Sequence, residues 1–488
     1  MPLDPRTPVL VGAAAVQQRE YDPRQAREPI ALMIEALRRA ADDAGAPSLL
    51  ARASSIRVPR GFWEYSDPAR LIAERVGARA QTQVAELGVL QTTLFGGAVD
   101  AIASGAAEVV LVAGGEAKYR ALRSQITGEP APSTPQLGVE PDEILRPARE
   151  IWSSLEESLG LLMPVTQFAM IENALRHAEG ASVGEHRAEL ARLSADFSRA
   201  AAANPAAWDR APHDEPELLG GGARNRMLAF PYAKLHTSQW NVDQAAGLIF
   251  TSVSAARAAG IDERRWVFPL AVAESNHMVP LSERAAPHRS HGFRLAGRRA
   301  LAHACVEIDT IEHLELYSCF PAAVRVQAGE LGIDPARRLT LSGGMAFAGG
   351  PLNNFVLQAL VHMVGVLRDA GGTGMLTAVS GMLTKQGVSL WSACPPQRAC
   401  AWIDVSNEVA AATRTLAVAP DHDGAATIAT YTVQHDAGVP ARAAVLCDLP
   451  DGRRALAVSS DARLAADMCE AEYCGRGVRL RPGHGFAV

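Results

Sequence analysis

The sequence has few cysteines and no excess of basic residues. All seven cysteines lie at or after Cys305, so the first 304 residues contain no thiol. An odd number of cysteines without a paired framework is typical of a reducing compartment rather than of a disulfide-stabilised secreted protein. Lysine and arginine total 47 against 53 aspartates and glutamates, a net charge of −6. This balance argues against the clustered basic surface of a nucleic-acid-binding protein.

Long hydrophobic runs are also missing. No apolar stretch reaches the roughly 18 residues expected of a membrane-spanning helix, and the opening Met-Pro-Leu-Asp-Pro-Arg has no features of a signal peptide. We therefore expect a cytoplasmic protein that binds neither membranes nor nucleic acid. Cys469 and Cys474 are close in sequence, but structural zinc generally takes about four ligands, so no metal is expected.

What is present is a long chain with a regular alternation of elements. Its 488 residues, 48% of them hydrophobic, exceed what one core usually supports, which predicts two or three domains. The apolar run Thr7–Gly12 predicts a strand, and the pattern from Glu28 to Ala44 predicts a helix. A buried helix at Gln91–Ser104 and a strand at Glu108–Ala113 follow, the strand running into the turn Gly114-Gly115.

The second half of the chain repeats this order. Leu314–Tyr317 is strand-like, Leu352–Ala370 is a helical run, and Met375–Val379 is a buried strand that ends at Ser380-Gly381. In both halves a helix precedes a strand and the strand precedes a glycine turn. The pattern predicts two duplicated α/β halves, and two unrelated α/β segments remain the alternative.

Two further regions differ from these halves in their pattern of apolar residues and prolines. Ala121–Asn225 contains proline clusters and helical stretches, and we interpret it as an inserted excursion without sheet. After Trp402 the runs Ala426–Gln434 and Ala441–Cys447 read as strands, and Asp451-Gly452 is a hairpin signal. A small β-rich domain is therefore expected at the end of the sequence.

Three segments give the chain a resemblance to the thiolase superfamily. Ser342–Pro351, Ser-Gly-Gly-Met-Ala-Phe-Ala-Gly-Gly-Pro, is similar to the thiolase loop Gly-Gly-x-x-x-x-Gly-His-Pro. Tyr317–Phe320 resembles the Asn-Glu-Ala-Phe or His-Asp-Cys-Phe motif at a strand end, and Asn241–Gly247 resembles the Asp-Gly-Ala strand entry. Their order and spacing cover about residues 7 to 400. In its overall pattern the sequence is most similar to thiolase-like proteins with an additional C-terminal domain, of the acetyl-CoA acetyltransferase and sterol-carrier-protein type.

This resemblance implies an α/β protein with the thiolase fold. The expected core is a duplicated, five-layered αβαβα arrangement with an inserted loop domain and a small appended C-terminal β-rich, OB-like domain. The predicted boundaries are 1–120 plus 226–262 for the N-terminal half, 121–225 for the loop domain, 263–402 for the C-terminal half and 403–488 for the added domain. An acyl-CoA site between the halves is implied as well. Thiolases usually dimerise through the first-half sheet, and an added domain permits a monomer, so both states are expected alternatives.

The residues that a thiolase uses for catalysis are missing at the matching positions. The nucleophilic cysteine belongs at the start of the first-half helix, where the helix dipole favours a thiolate, and Gly88 stands there, followed by Val89. The histidine of the Gly-His-Pro loop is replaced by Gly350, which offers only its backbone N–H. Ser380 stands in place of the second acid/base cysteine, and a hydroxyl transfers protons poorly near neutrality.

Other residues at motif positions retain polar side chains. Cys319 matches the acid/base cysteine of the His-Asp-Cys-Phe branch, with a buried structural thiol as the alternative. Tyr317 replaces a histidine or asparagine near the oxyanion hole and can donate the same hydrogen bond. Substrate-binding candidates, each with a structural role as the alternative, are Gly349, Asn353, Asn354, His236 and Asn276.

Three functions remain open from the sequence. The leading hypothesis is an acyl-CoA-binding protein of the acyltransferase superfamily that does not form an acyl-enzyme at the usual place. The second is a retro-aldolase acting on β-hydroxyacyl-CoA through Tyr317 and Cys319, which the resemblance to thiolase-fold lyases suggests. The third is a non-catalytic acyl-CoA carrier or scaffold. No permanently bound cofactor is expected, and CoA or acyl-CoA would be the ligand.

Overall fold

The computed structural model describes residues 3–488. Residues 1 and 2 lie outside the described residues. They begin the Met-Pro-Leu-Asp-Pro-Arg segment, which has no features of a signal peptide. Two mixed sheets form the body of the molecule. The first has the order β1 (Pro8–Gln18), β8 (Asp243–Ser252), β4 (Val109–Ala117), β2 (Ser55–Pro59), β3 (Gln81–Ala85), β5 (Glu143–Leu145). The second has the order β10 (His313–Glu315), β11 (Thr373–Ser380), β12 (Lys385–Ser392), β9 (Phe268–Ser275), β13 (Ala401–Asp404).

The two sheets repeat one topology. In the first, β8 runs antiparallel between β1 and β4, and β2 lies parallel beside β4. In the second, β12 runs antiparallel between β9 and β11, and β10 lies parallel beside β11. The predicted duplication of the halves is therefore confirmed.

Helices complete five layers around these sheets. Helices α3 (Gln91–Ser104) and α13 (Phe355–Ala370) lie between the sheets and contact both. Outside the first sheet lie α1 (Pro29–Asp43), α2 (Pro68–Val76) and α9 (Val253–Ala258), and outside the second lie α10 (His291–Ala304), α11 (Pro321–Leu331) and α14 (Ser406–Ala412).

The sequence of β4 shows why a sheet forms here. Val109, Leu111 and Ala113 join the core cluster that contains α1, whereas Val110 and Val112 join the cluster that contains α3. Successive side chains of a strand point to opposite faces, so a strand covered by helices on both sides must be apolar at every position.

The excursion is mostly helical but contributes one strand. It contains α4 (Lys118–Thr127), α5 (Ser154–Ser158), α6 (Pro164–Glu179), α7 (Val183–Ala203) and α8 (Glu215–Leu218). The expectation that it contains no sheet was wrong, because β5 pairs with β3 at the edge of the first sheet. The Asp142 carboxylate fixes this strand by accepting hydrogen bonds from the Thr82 N–H (2.8 Å) and from Arg70 (2.9 Å).

The last part of the chain folds into a small closed barrel. The strands β14 (Gly424–Asp436), β15 (Val439–Asp448), β16 (Arg454–Ser459), β18 (Gly485–Ala487) and β17 (Gly477–Arg481) pair in this order, and β17 returns to β14; α15 (Ala462–Asp467) packs beside β15. The predicted β-rich domain is confirmed. Its interior is a separate apolar cluster that includes Ile428, Val445 and Phe486.

Two predicted boundaries differ from the structure. The hairpin of β6 (Met227–Ala229) and β7 (Tyr232–Ala233) joins the sheet of the barrel through β14, although 226–262 was assigned to the first half. Strand β13 extends to Asp404 beside β9, beyond the predicted end of the second half at residue 402. The short helix α12 (Gly344–Phe347) lies in the glycine-rich loop. Within residues 3–488, no helix is both long and apolar enough to cross a bilayer.

Strand β5 predicts the oligomeric state. It covers the edge of β3 and ends the first sheet, and an edge strand of only three residues leaves a second copy few backbone groups to pair with. We expect the protein to sediment as a monomer. Substituting Asp142→Ala removes the contacts that fix β5, and we expect a concentration-dependent dimer to appear in sedimentation velocity experiments. The exposed Glu140→Ala serves as the control, and a stable wild-type dimer would contradict this prediction.

Candidate functional site

The candidate site lies at the amino end of α3. The helix is preceded by Gly88, Val89 and the N-cap residue Leu90. Gly88 has φ of +96°, a backbone conformation that costs a residue with a side chain free energy. Gly88, the predicted counterpart of the thiolase nucleophile, lies just before the helix in a backbone conformation suited to glycine.

The space beside Gly88 is occupied by the excursion. A β-carbon at position 88 would lie 3.1 Å from Pro147 Cγ and 3.4 Å from Ile151 Cγ2. A β-carbon at Gly381, next to Ser380, would lie 3.2 Å from the Ile151 β-carbon. Gly88 and Gly381, the neighbour of Ser380, therefore both lie against Ile151.

A buried lysine, which the sequence analysis missed, also reaches this position. Lys385 pairs with Ser380 in the register of β11 and β12, and its Nζ donates a hydrogen bond to the Gly88 carbonyl oxygen at 2.7 Å. Burial lowers the pKa of Lys385, and the nearby Glu150 carboxylate partly opposes this effect. The sequence signal is a lysine that opens a strand four residues after Gly381.

A buried carboxylate lies on the second-sheet side of the same helix end. Glu274, at the end of β9, accepts hydrogen bonds from Thr92 Oγ1 (3.0 Å), Thr93 Oγ1 (3.1 Å) and Asn276 Nδ2 (3.2 Å). Burial raises the pKa of Glu274, and these donors counteract only part of that shift. In this structure the predicted ligand residue Asn276 holds Glu274.

The glycine-rich loop is packed tightly against its surroundings. A β-carbon at Gly350 would lie 1.9 Å from Ser238 Oγ, and one at Gly349 would lie 2.3 Å from Gln244 Oε1. The Gly350 N–H donates a hydrogen bond to the Gln239 carbonyl at 2.8 Å. The one donor that Gly350 retains is therefore already used by the backbone.

The two asparagines after this loop differ in their contacts. Asn353 Nδ2 donates to the Arg60 carbonyl at 2.8 Å, and Asn353 Oδ1 accepts from Gln91 Nε2 at 3.1 Å. Asn353 is thereby connected to the first turn of α3. Asn354 is buried and neither of its amide atoms has a hydrogen-bond partner; its Oδ1 lies 2.9 Å from where a β-carbon of Gly114 would be.

The strand-end motif lies beside the glycine-rich loop. The Cys319 carbonyl accepts a hydrogen bond from the Ser238 N–H at 3.1 Å, so Cys319 and Gly350 both contact Ser238. The Tyr317 ring packs edge-on against Phe355, with 5.9 Å between ring centroids. Burial raises the pKa of both Tyr317 and Cys319 well above their ordinary values, so both groups stay protonated near neutral pH.

His236 is held by its own loop. Its Nδ1 accepts a hydrogen bond from the Ala233 N–H at 3.2 Å, and its ring lies edge-on to Tyr232. Burial lowers the pKa of His236 to about 4, so the imidazole is neutral at physiological pH. In this structure its contacts are those of a packed core histidine.

The buried carboxylate gives a prediction about pH. In the unfolded chain a glutamate has a pKa of about 4.3, and burial raises the pKa of Glu274 above that in the folded protein. Stability should therefore fall as pH rises from the unfolded pKa through the folded pKa. Glu274→Gln imitates the protonated form, so we expect it to match the wild type near pH 4. Near pH 8 it should be more stable, by about 1.4 kcal/mol for each unit by which the pKa is raised.

Urea denaturation at several pH values measures this difference in the free energy of unfolding. The exposed Glu140→Gln is the matched control and should follow the wild type at every pH. Parallel curves for wild type and Glu274→Gln would contradict the assignment of a raised pKa to Glu274.

Comparison with known proteins agrees with this architecture. The family described as "Thiolase-like protein type 1 additional C-terminal domain" matches residues 404–484. No curated protein sequence matches the chain. Among solved structures, the monomeric SCP2-thiolase like protein type 1 from Mycobacterium smegmatis is 29% identical, with 100% of both chains covered and a TM-score of 0.83.

Two more distant structures share the fold. The Ltp2-ChsH2(DUF35) aldolase is 19% identical, with 80% of this chain and 98% of that chain covered and a TM-score of 0.58. The acetyl-CoA acetyltransferase from Syntrophomonas wolfei is 17% identical, with 80% and 99% covered and a TM-score of 0.56. At these identities the likeness is one of fold alone.

Proposed function

We propose that this chain, a thiolase-like protein with an additional C-terminal domain, binds an acyl-CoA thioester without forming a covalent acyl-enzyme at Gly88. The fold supports a site at the amino end of α3, and the names of the similar proteins support CoA thioesters as the ligand class. The proposal places the chain in acyl-CoA metabolism but separates it from thiolysis.

One observation carries the proposal: a side chain at position 88 would begin in close contact with Pro147 and Ile151, at 3.1–3.4 Å from its β-carbon, and with an unfavourable φ. Covalent catalysis needs a nucleophile with a base within hydrogen-bond reach. Position 88 offers no side chain, position 350 offers no imidazole, and the first 304 residues contain no cysteine. The two hydroxyls nearest the helix start, those of Thr92 and Thr93, already donate to Glu274.

The remaining polar groups suit binding rather than acyl transfer. The amino end of α3 carries the positive end of the helix dipole, and the Lys385 ammonium adds a positive charge beside it. Gln91 Oε1 is buried without a hydrogen-bond partner and can accept an N–H from a ligand. Amide groups occur in the pantetheine arm of CoA, so Gln91 is a residue we assign to ligand recognition.

The direct test combines binding and turnover. We expect saturable heat on calorimetric titration with acetyl-CoA, no thiolysis of acetoacetyl-CoA, and no acylated peptide from the first half by mass spectrometry. Gly88→Cys should not restore thiolysis, because a side chain there meets Pro147 and requires an unfavourable φ. Rapid thiolysis by the wild type with an acylated residue in the first half would end the proposal.

A second candidate is a retro-aldolase acting on β-hydroxyacyl-CoA. The observation that favours it is the closed barrel within the same chain, together with the fold shared with a DUF35 aldolase. In this candidate Tyr317 is the acid and Cys319 lies beside it; burial raises the pKa of Tyr317 and keeps the phenol protonated. The third candidate, a non-catalytic carrier, predicts CoA affinity and no turnover of any acyl-CoA.

Tyr317→Phe distinguishes these candidates. If lyase activity on a panel of β-hydroxyacyl-CoA substrates is found, we expect the variant to lose it by about 100-fold or more, the scale of one lost general acid, while the dissociation constant for CoA stays unchanged. Tyr473→Phe, a tyrosine of the barrel, is the matched control. Unchanged turnover in Tyr317→Phe would exclude Tyr317 as the acid.

A further inference from the structure

A cavity lined by several cationic side chains lies on the outer side of the second sheet. It has a volume of about 80 Å³, well above the roughly 10–15 Å³ that one water molecule requires. Its walls are the start of α10, the turn between β11 and β12, the segment after β9 and the end of α14. We call it the Arg284 pocket, after the residue at its wall. Three arginines and two histidines line it, and no aspartate or glutamate is among its lining residues.

Arg284 is a buried cation without an anionic partner. Only 6% of the residue is exposed. Its Nε donates to the Val279 carbonyl at 3.2 Å and its Nη2 donates to the Met382 carbonyl, but Nη1 is buried with no partner. In the described part of the chain Arg284 forms no ion pair within 4.0 Å.

The surroundings compensate that charge only in part. Burial lowers the pKa of Arg284 to about 10, and the Glu156 carboxylate opposes this effect. The Glu156 carboxylate is itself engaged by the Ser282 N–H at 2.8 Å. A buried charge without a direct partner is unfavourable, so the position favours a bound counter-anion.

A helix start adds further donors to the same cavity. Ser290 is the N-cap of α10, a 14-residue helix, and its side chain makes no capping hydrogen bond. Ser290 is 4% exposed and its Oγ has no partner. The first amides of a helix and its dipole attract anions, and here the hydroxyl and the Arg284 guanidinium line one cavity with them.

The other cationic residues lie around the same cavity. Arg414 is exposed at the cavity wall. Arg289 is paired with Glu330, with 2.6 Å between Nε and Oε1. Burial and neighbouring arginines lower the pKa of both His277 and His291, so these rings contribute N–H donors rather than charge near neutrality.

We propose that the Arg284 pocket binds a phosphate-sized oxyanion, with Arg284 Nη1, Ser290 Oγ and the first amides of α10 as donors and Arg414 as the outer charge. The pocket is distinct from the site at Gly88, and the proposal does not depend on acyl-CoA binding. It shares the β11–β12 turn with that site, because Arg284 holds the Met382 carbonyl and Thr384 lies against Gly381. The anion is either free inorganic phosphate or the phosphate of a larger ligand.

Titration of the full-length protein with inorganic phosphate tests this proposal, with sodium chloride at equal ionic strength as the blank. We expect saturable binding by calorimetry and a concentration-dependent rise in melting temperature. Arg414→Gln should weaken binding by about tenfold, as expected for a lost charge-assisted contact, and Arg284→Met should abolish it. The exposed Arg463→Gln, on the barrel, should bind phosphate as the wild type does.

Arg414→Gln keeps the test decisive if Arg284→Met fails to fold, because Arg414 is exposed. Titrations with CoA and with dephospho-CoA, each with and without phosphate, identify the source of the anion. Competition between phosphate and CoA but not dephospho-CoA assigns the site to the 3′-phosphate of CoA, and independent binding assigns it to a free oxyanion; both support the proposal. Phosphate that binds no better than chloride, or equally to wild type and Arg414→Gln, overturns it, whatever the result at Gly88.

Discussion

The structure depends on the aromatic contact at its centre. Phe95 of α3 lies 6.3 Å from Phe250 of β8 and 5.9 Å from Trp391 of β12, centroid to centroid. Phe250 and Trp391 belong to the antiparallel middle strands of the two sheets, so one helix side chain joins both halves. Because a sheet covers α3 on each side, the helix is apolar around most of its circumference. This packing also fixes where its amino end, and therefore the candidate site, must lie.

Buried polar contacts attach the excursion to the barrel. Asn173 of α6 donates to the Phe230 carbonyl (3.2 Å) and the Tyr431 carbonyl (2.9 Å), and Thr430 Oγ1 donates to the Met170 carbonyl. Helix α6 also pairs with α11 of the second half through Glu172 and Arg325, so the excursion bridges the core and the barrel. Through Ile151 the same excursion also lies against Gly88.

Several buried charges in the described part of this protein are paired. Glu172 is fully buried, and Arg325, His186 and the Tyr232 hydroxyl lower its pKa to about 2 against the effect of burial. Arg454 pairs with Asp448, and Arg176 pairs with Glu472. Such pairing offsets the cost of removing ions from water. Arg284 has carbonyl partners but, among the described residues, no carboxylate within 4.0 Å, and it lines a cavity.

By itself the sequence determined the alternation of elements, the duplication and the absence of cysteine from the first 304 residues, because apolar periodicity and residue identity are local properties. It predicted α3 at Gln91–Ser104, and the helix occupies those residues. Only the tertiary structure decided which distant groups meet. Lys385 reaches Gly88 across 297 positions and Glu274 reaches Thr92 across 182, and no pattern along the chain encodes such contacts. The strand β5 was missed because three residues carry too little periodicity, and its pairing rests on Asp142 and Thr82. Ile151 lies against Gly88 because the excursion folds back on the core, and this contact too is decided by tertiary packing.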